Sequence, residues 1–378
     1  MKTIAFYLPQ FHAIPENDAW WGEGFTEWVN VKKACPLYEG HYQPRVPLNG
    51  NYYNLLDPEV LRWQAKLARE YGVYGFCFYH YWFDGHMLLE KPMELLLREK
   101  DIDLPFCVCW ANEPWTKAWV SKHDNILIAQ RYGDQKEWTE HFNYFLPFFK
   151  DPRYIKNNGK PLVILYRPDL IECLNDMLDC WENLAKENGF PGLEFGYQQI
   201  HFDLQKNKDD SRFSYNIEYQ PNYANHDLTQ GKLSLLRKVK RWLVPKLQKI
   251  GINIEQVRAQ GLIKRDYDQV WNAVLARNPS SEKSVPGAFV DWDNTPRRQE
   301  RGSVFVGATP EKFERYMTEQ IKRARDVYHQ DMLFLFAWNE WAEGGYMEPD
   351  EKYGFSYLEA LRNALIANHE FPTDFKQQ

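Results

Sequence analysis

Leu333-Phe334-Leu335-Phe336-Ala337-Trp338-Asn339-Glu340-Trp341-Ala342-Glu343-Gly344-Gly345 is the stretch whose reading decides the fold. A short apolar strand runs without a linker into a polar turn of carboxylates and indoles. Parallel α/β barrels place their functional groups this way, at the C-terminal ends of buried strands. Glu340 and Glu343 stand three residues apart among tryptophans. Cleaving a sugar–sugar bond needs two carboxyls, one to protonate the leaving oxygen and one to assist attack at the anomeric carbon. An acidic first turn of a helix would explain one of these glutamates. It would not explain a tryptophan on each side of Glu340.

Working outward, short apolar strands alternate with helical patterns along the whole chain, the mark of a parallel α/β fold. The expected strands are Thr3 to Leu8, Val73 to Tyr79, Pro105 to Trp110, Pro161 to Tyr166, Leu193 to Gln198, Tyr215 to Tyr219, Gly287 to Trp292 and Met332 to Ala337. Asp57-Pro58 and Thr309-Pro310-Glu311 are helix starts, each a capping side chain followed by proline. Gly189 ends another helix. Eight βα units predict one (β/α)8 TIM barrel over residues 1–378. A doubly wound sheet is the alternative, but no glycine-rich phosphate loop follows the first strand. Residues 222–284 break the rhythm and carry a basic run from Arg237 to Lys249. They are expected to form a helical insertion, or lid, on one βα loop.

The strand ends should converge on one rim, and nearly all are polar and aromatic. They supply the candidate substrate contacts Tyr7, Gln10, His12, Tyr79, His80, Trp82, Trp110, Asn112, Glu218, Asp291, Trp292, Asp293, Trp338, Asn339 and Trp341. Blander roles compete. His80 between two tyrosines could be a packed core histidine. Asp291 and Asp293 could cap a loop. Glu113, in Asn112-Glu113-Pro114, could pair with Arg297 or Arg298. Equally, Glu113 could be the acid/base partner of Glu340, since Asn-Glu-Pro after a barrel strand serves that role in many retaining glycosidases. The candidate catalytic residues are therefore Glu340, Glu343 and Glu113.

Bulk properties narrow the function. The 378 residues carry a net charge of −6, which gives no general attraction to nucleic acid or to acidic membranes. Aromatics reach 16 %. Part of that excess must be core, and part suits stacking on sugar C–H faces. No apolar run reaches transmembrane length. Six cysteines lack metal or redox spacing, so buried free thiols, no metal and no cofactor are expected. The N-terminal apolar run is too short for a signal peptide, and a cytoplasmic location is expected.

Three longer motifs carry a resemblance. Tyr7-Leu8-Pro9-Gln10-Phe11-His12, Trp20-Trp21-Gly22-Glu23-Gly24-Phe25-Thr26-Glu27-Trp28 and Trp110-Ala111-Asn112-Glu113-Pro114-Trp115 resemble the WbsX-like family, which carries the label of polysaccharide-biosynthesis glycosyltransferases. The closing Asn339-Glu340-Trp341-Ala342-Glu343-Gly344 is also similar to the pattern of glycoside hydrolase family 99, the retaining endo-α-mannosidases. That resemblance implies a (β/α)8 barrel and a glycan substrate. It implies Glu340 as the base that deprotonates a sugar 2-hydroxyl, and Glu343 as the general acid and base. A transferase of O-antigen or capsular polysaccharide synthesis is the first alternative, for which Asp291-Trp292-Asp293 spells a short metal motif. A non-catalytic glycan-binding barrel is the second.

Overall fold

The computed structural model of the chain describes residues 1–116, 126–200, 210–229 and 261–372. Eight parallel strands form its barrel. They are β1 (Lys2–Tyr7), β2 (Gly75–Phe83), β3 (Phe106–Trp110), β4 (Lys160–Leu165), β5 (Glu194–Gln199), β6 (Tyr215–Glu218), β7 (Ser284–Val285 and Gly287–Phe289) and β8 (Met332–Phe336). The two pieces of β7 are separated by Pro286 alone. The first pairs with β6 and the second with β8, so the ring closes across that proline. Proline has no N–H to give to a ladder, which is why the strand reads as two segments. Gly287 permits the closure: a Cβ there would sit 1.7 Å from the Glu218 carbonyl oxygen.

Both faces of the strands are buried, one against the barrel interior and one against the helices, and β3 and β8 are accordingly continuous apolar runs. All five residues of β3 are buried. The interior is aromatic below the rim. Phe6 stacks on Tyr79 at 5.6 Å and meets the edge of Tyr219, which packs on Phe336. Cys77, Cys107 and Cys109 are buried free thiols.

Around the ring lie α1 (Pro58–Tyr71), α2 (Lys91–Arg98), α3 (Gln135–Lys150), α4 (Leu174–Glu187), α5 (Tyr267–Leu275), α6 (Pro310–Asp326) and α7 (Ser356–Ala367). The expected caps operate. Asp57 accepts from the Glu59 N–H and Thr309 from the Lys312 N–H, with Pro58 and Pro310 at the next position. Among the described residues no helix is long and apolar enough to cross a membrane.

The stretch 222–284 departs in part from the expected insertion. Ile263–Asp266 is a strand, paired in parallel with Ser303–Val306 beside the barrel. The following α5 is a barrel helix whose Tyr267, Val270, Trp271 and Val274 are buried. Ser284 already belongs to β7. Residues 222–229 are helical. The basic run from Arg237 to Lys249 lies outside the described residues.

Candidate active site

Strand β8 ends at Phe336, and the chain then makes a tight turn, Trp341–Glu343, closed by Gly344 with φ +71°. Gly344 is needed for that left-handed angle, and also because a Cβ would stand 2.8 Å from the Asp293 nitrogen. The Asp293 N–H donates to the Glu343 carbonyl at 2.7 Å, tying the turn to the loop after β7. Asn339 fastens the other side. Its amide accepts from the Leu8 N–H at 2.8 Å and donates to the Leu8 carbonyl at 3.0 Å.

The turn presents Glu340 and Glu343 to Arg297, which stands on the short helix Thr295–Arg298. The guanidinium spreads over three carboxylates. Nη1 donates to Glu343 at 2.6 Å, Nη2 to Glu340 at 3.2 Å and Nε to Glu27 at 3.0 Å. Glu27 begins the helix Glu27–Lys33 in the long loop after β1. All four side chains are at most 12 % exposed. Burial disfavours the charge of Glu340 and Glu343, Arg297 opposes that effect, and the neighbouring carboxylates reinforce it. Burial thereby pushes Glu340 up to about 8 and also raises Glu343. Both shifts favour keeping a proton on the pair.

These groups line a cavity of about 410 Å³ at the C-terminal mouth of the barrel. Gln10, Tyr79, Tyr81, Glu113, Trp115, Tyr166 and Tyr219 line it too, as do Trp21, Phe25, Asn30 and Lys33. Trp115 stacks on Tyr81 at 5.3 Å and 4° between planes, and Trp20 meets Trp115 edge-on. Tyr79 and Tyr219 join hydroxyls at 3.3 Å. The cavity therefore offers aromatic faces, hydroxyls and carboxylates together, the equipment for a sugar ring.

Of the residues singled out from sequence, Glu340, Glu343, Glu113, Gln10 and Tyr79 line this cavity. Glu113 pairs with Arg167 at 2.8 Å rather than with Arg297 or Arg298. Burial raises its pKa against the pull of Arg167. The others lie behind the wall. Tyr7 donates to Gln64 under the rim. His12 is 1 % exposed. His80 shares a 2.9 Å hydrogen bond with His141 in the core, and burial drives its pKa down to about 3. Trp82 stacks on His141 at 4.3 Å, and the Trp110 indole donates to the Trp82 carbonyl. Asn112 bridges to both backbone groups of Arg167. Glu218 accepts from Tyr328 at 3.0 Å.

The Asp291-Trp292-Asp293 motif also turns away. Asp291 takes Arg45 at 2.7 Å. Asp293 takes His41, Gln43 and the Thr295 hydroxyl, and the Trp292 indole donates to Ser303. Trp338 and Trp341 donate to Glu348 at 3.0 and 2.6 Å. The tryptophans that bracket Glu340 are thus braces of the turn, and a buried carboxylate explains them.

The model of the family described as glycosyltransferase WbsX matches residues 3–361. The chain belongs to that family. Two proteins named "Uncharacterized protein WxcX", from two strains of Xanthomonas campestris pv. campestris, are each 36 % identical to it over 375 residues. The match covers 98 % of this chain and 50 % of those proteins, so the chain spans about half the length of the curated relatives it matches. A solved GH99 endo-α-mannosidase from Bacteroides thetaiotaomicron, in complex with bis-tris propane, superposes with a TM-score of 0.54 at 16 % identity. That superposition covers 98 % of this chain and 96 % of that one. A structure named "Glycoside hydrolase-like protein" gives 0.53 at 13 % identity, covering 99 % of this chain and 94 % of the other. At these identities the likeness establishes the fold. The family's description is that of glycosyltransferases, and the fold is shared with solved glycoside hydrolases.

Sequence reading missed Glu27 and Arg297 as members of this cluster. Glu27 lies in the tryptophan-rich loop after β1 and Arg297 past the end of β7. A lone acid and a lone base, 270 residues apart, give no periodic signal. The tyrosine lining is partly legible: Tyr79, Tyr166 and Tyr219 close their expected strands, but only Tyr79 is among the candidate contacts.

Proposed function

We propose that this chain is a retaining glycoside hydrolase acting on an α-linked bacterial polysaccharide or oligosaccharide, with Glu340 and Glu343 as its catalytic pair. The observation that supports this most is the meeting of both carboxyls on the two terminal nitrogens of Arg297, in the wall of an aromatic-lined cavity. Arg297 stays protonated and acts by holding both carboxyls in place.

On this reading Glu340, ionised, takes the proton from the sugar 2-hydroxyl. The freed oxygen attacks its own anomeric carbon as Glu343 passes its proton to the departing glycosidic oxygen. Glu343, now ionised, then deprotonates the water that opens the three-membered ring. The proton held by Glu340 returns to the 2-oxygen, and two inversions give net retention. The productive protonation state is the one with the shared proton on Glu343. Glu113, in the same cavity, binds substrate near the cleavage point. In the rival assignment it replaces Glu343 as acid/base.

The family's description favours one second reading, transfer of the glycosyl group to a sugar hydroxyl in place of water. A nucleotide-sugar route through Asp291 and Asp293 has less support, because Arg45, His41, Gln43 and Thr295 already hold those carboxylates.

The test is incubation with α-linked oligosaccharides, α-mannans included, with and without a sugar acceptor, followed by NMR of the anomeric protons. The α-anomer should appear first. Glu340→Gln and Glu343→Gln should each lower kcat by about 10²–10⁴-fold, the usual contribution of one acid or base, while the fold is kept. A β-anomer as first product, or near-normal turnover in Glu343→Gln, would sink the assignment. A disaccharide formed with the added acceptor would identify a transferase.

A further inference from the structure

We infer that Glu27 is a positioning residue of the catalytic pair: by taking a share of the Arg297 guanidinium it leaves Glu340 and Glu343 short of positive charge, so that they keep one proton between them. The inference rests on the pair proposed above.

Of the three glutamates on Arg297, Glu27 alone comes from outside the β8 turn. Its backbone N–H donates to the Gln10 carbonyl at 3.0 Å. Trp28, the next residue, is buried and pinned, its indole donating to the Tyr53 carbonyl at 2.8 Å and its ring packing on Phe11 and Trp341. Asn30, one turn on, reaches back to Glu27 Oε1 at 3.4 Å. The carboxylate is thus held on Arg297 Nε by the β1 loop, while the pair approaches from the β8 loop.

A guanidinium carries one positive charge however many acceptors it reaches. Three buried carboxylates around it cannot all ionise cheaply. Other elements also face the pair. Arg298 acts on Glu343 from beside Arg297 and opposes Glu27. Tyr81 and Tyr219 face Glu340, and Tyr166 and Tyr219 face Glu343, all as neutral hydroxyls held so by burial. Glu27 is therefore the fixed negative charge from outside the pair that favours proton retention on both members. A merely structural ion pair would cost stability when broken without moving the titration of its neighbours.

The test uses the whole chain and no substrate, so its failure is distinct from failure of the catalytic reading. The protonated-carboxyl stretch is followed by infrared difference titration between about pH 5 and 10, the range that brackets a carboxyl displaced this far. The signal of the pair is assigned by its loss in Glu340→Gln. In Glu27→Gln the midpoint of that signal should fall by about one pH unit or more, a tenfold loss of proton affinity, as expected on removing a charge at close range. Glu27→Asp should hold it near the wild-type position. If Glu27→Gln does not fold, Glu27→Ala gives the same reading, and added acetate should bring the midpoint back. An unmoved midpoint in the charge-removing variant, or a shift in Glu27→Ala that acetate leaves unchanged, would overturn the inference.

Discussion

At the scale of residues, Glu348 shows how a buried carboxylate can organise a turn it does not belong to. Its two oxygens accept from four donors: the Trp338 and Trp341 indoles, the Gln64 amide and the Tyr53 hydroxyl. Those donors favour the ionised form, yet burial wins and pushes the group up to about 7. Trp338 and Trp341 flank Glu340 in the chain, so the acceptor below fixes the turn above. Replacing it by an amide puts an N–H₂ against groups that are themselves donors. Glu348→Gln should therefore cost about 2–3 kcal/mol, the penalty for stranding buried donors, read as a lower urea midpoint at unchanged m-value. An unchanged midpoint would mean that the donors find other acceptors. The sequence displayed the two indoles and both catalytic-pair candidates together. It could not show that the indoles point away from the glutamates, because successive residues of a tight turn follow no two- or 3.6-residue period.

Among elements, the legible ones were those whose burial is two-sided or whose ends carry caps. All eight strands stand within a few residues of their expected places, and α1 and α6 begin where their Asp-Pro and Thr-Pro pairs stand. The strand Ile263–Asp266 was illegible for the opposite reason. It is mostly exposed, charged along Lys264-Arg265-Asp266, and paired only with Ser303–Val306 beside the barrel. Because it was hidden, α5 was read as part of an insertion. Trp271 shows what α5 does: it stacks on Phe289 of β7 at 4.7 Å and on Tyr316 of α6 at 5.3 Å. Trp271→Ala should therefore destabilise the whole barrel by about 3–5 kcal/mol, as for a fully buried indole, measured by urea denaturation. A loss below about 1 kcal/mol would return α5 to the periphery, since surface changes stay in that range. The chain leaves for residues 230–260 from the rim after β6 and comes back to the rim strand Ile263–Asp266. Replacing 230–260 by a short linker is expected to keep the fold and to raise KM for a long polymer more than for a short aryl glycoside. Equal losses on both substrates would argue against a groove wall there.

For the whole molecule, two sets of buried titratable groups carry opposite pH signatures. Glu340, Glu218 and Glu348 have pKa values raised by burial, to about 8, 7 and 7. The folded state binds their protons more tightly than the unfolded chain does. Their contribution is complete below the unfolded carboxylate range and is lost as pH rises toward 8. His80 and His141 go the other way. Burial lowers both, His80 to about 3, so the folded state holds them neutral while the unfolded chain takes up protons below about 6.5. Their contribution is present above that pH and is lost as pH falls. The two sets oppose each other between the unfolded carboxyl and the unfolded histidine values. Thermal melts should therefore show a maximum of Tm near pH 6, with an alkaline limb descending by pH 8 and an acid limb below pH 5. The limbs can be assigned separately. Glu340→Gln removes one titrating carboxyl and should flatten the alkaline limb without moving the acid one. A Tm that climbs steadily from pH 6 to 8 would mean that Glu340, Glu218 and Glu348 are already ionised in the folded protein and contribute no alkaline limb.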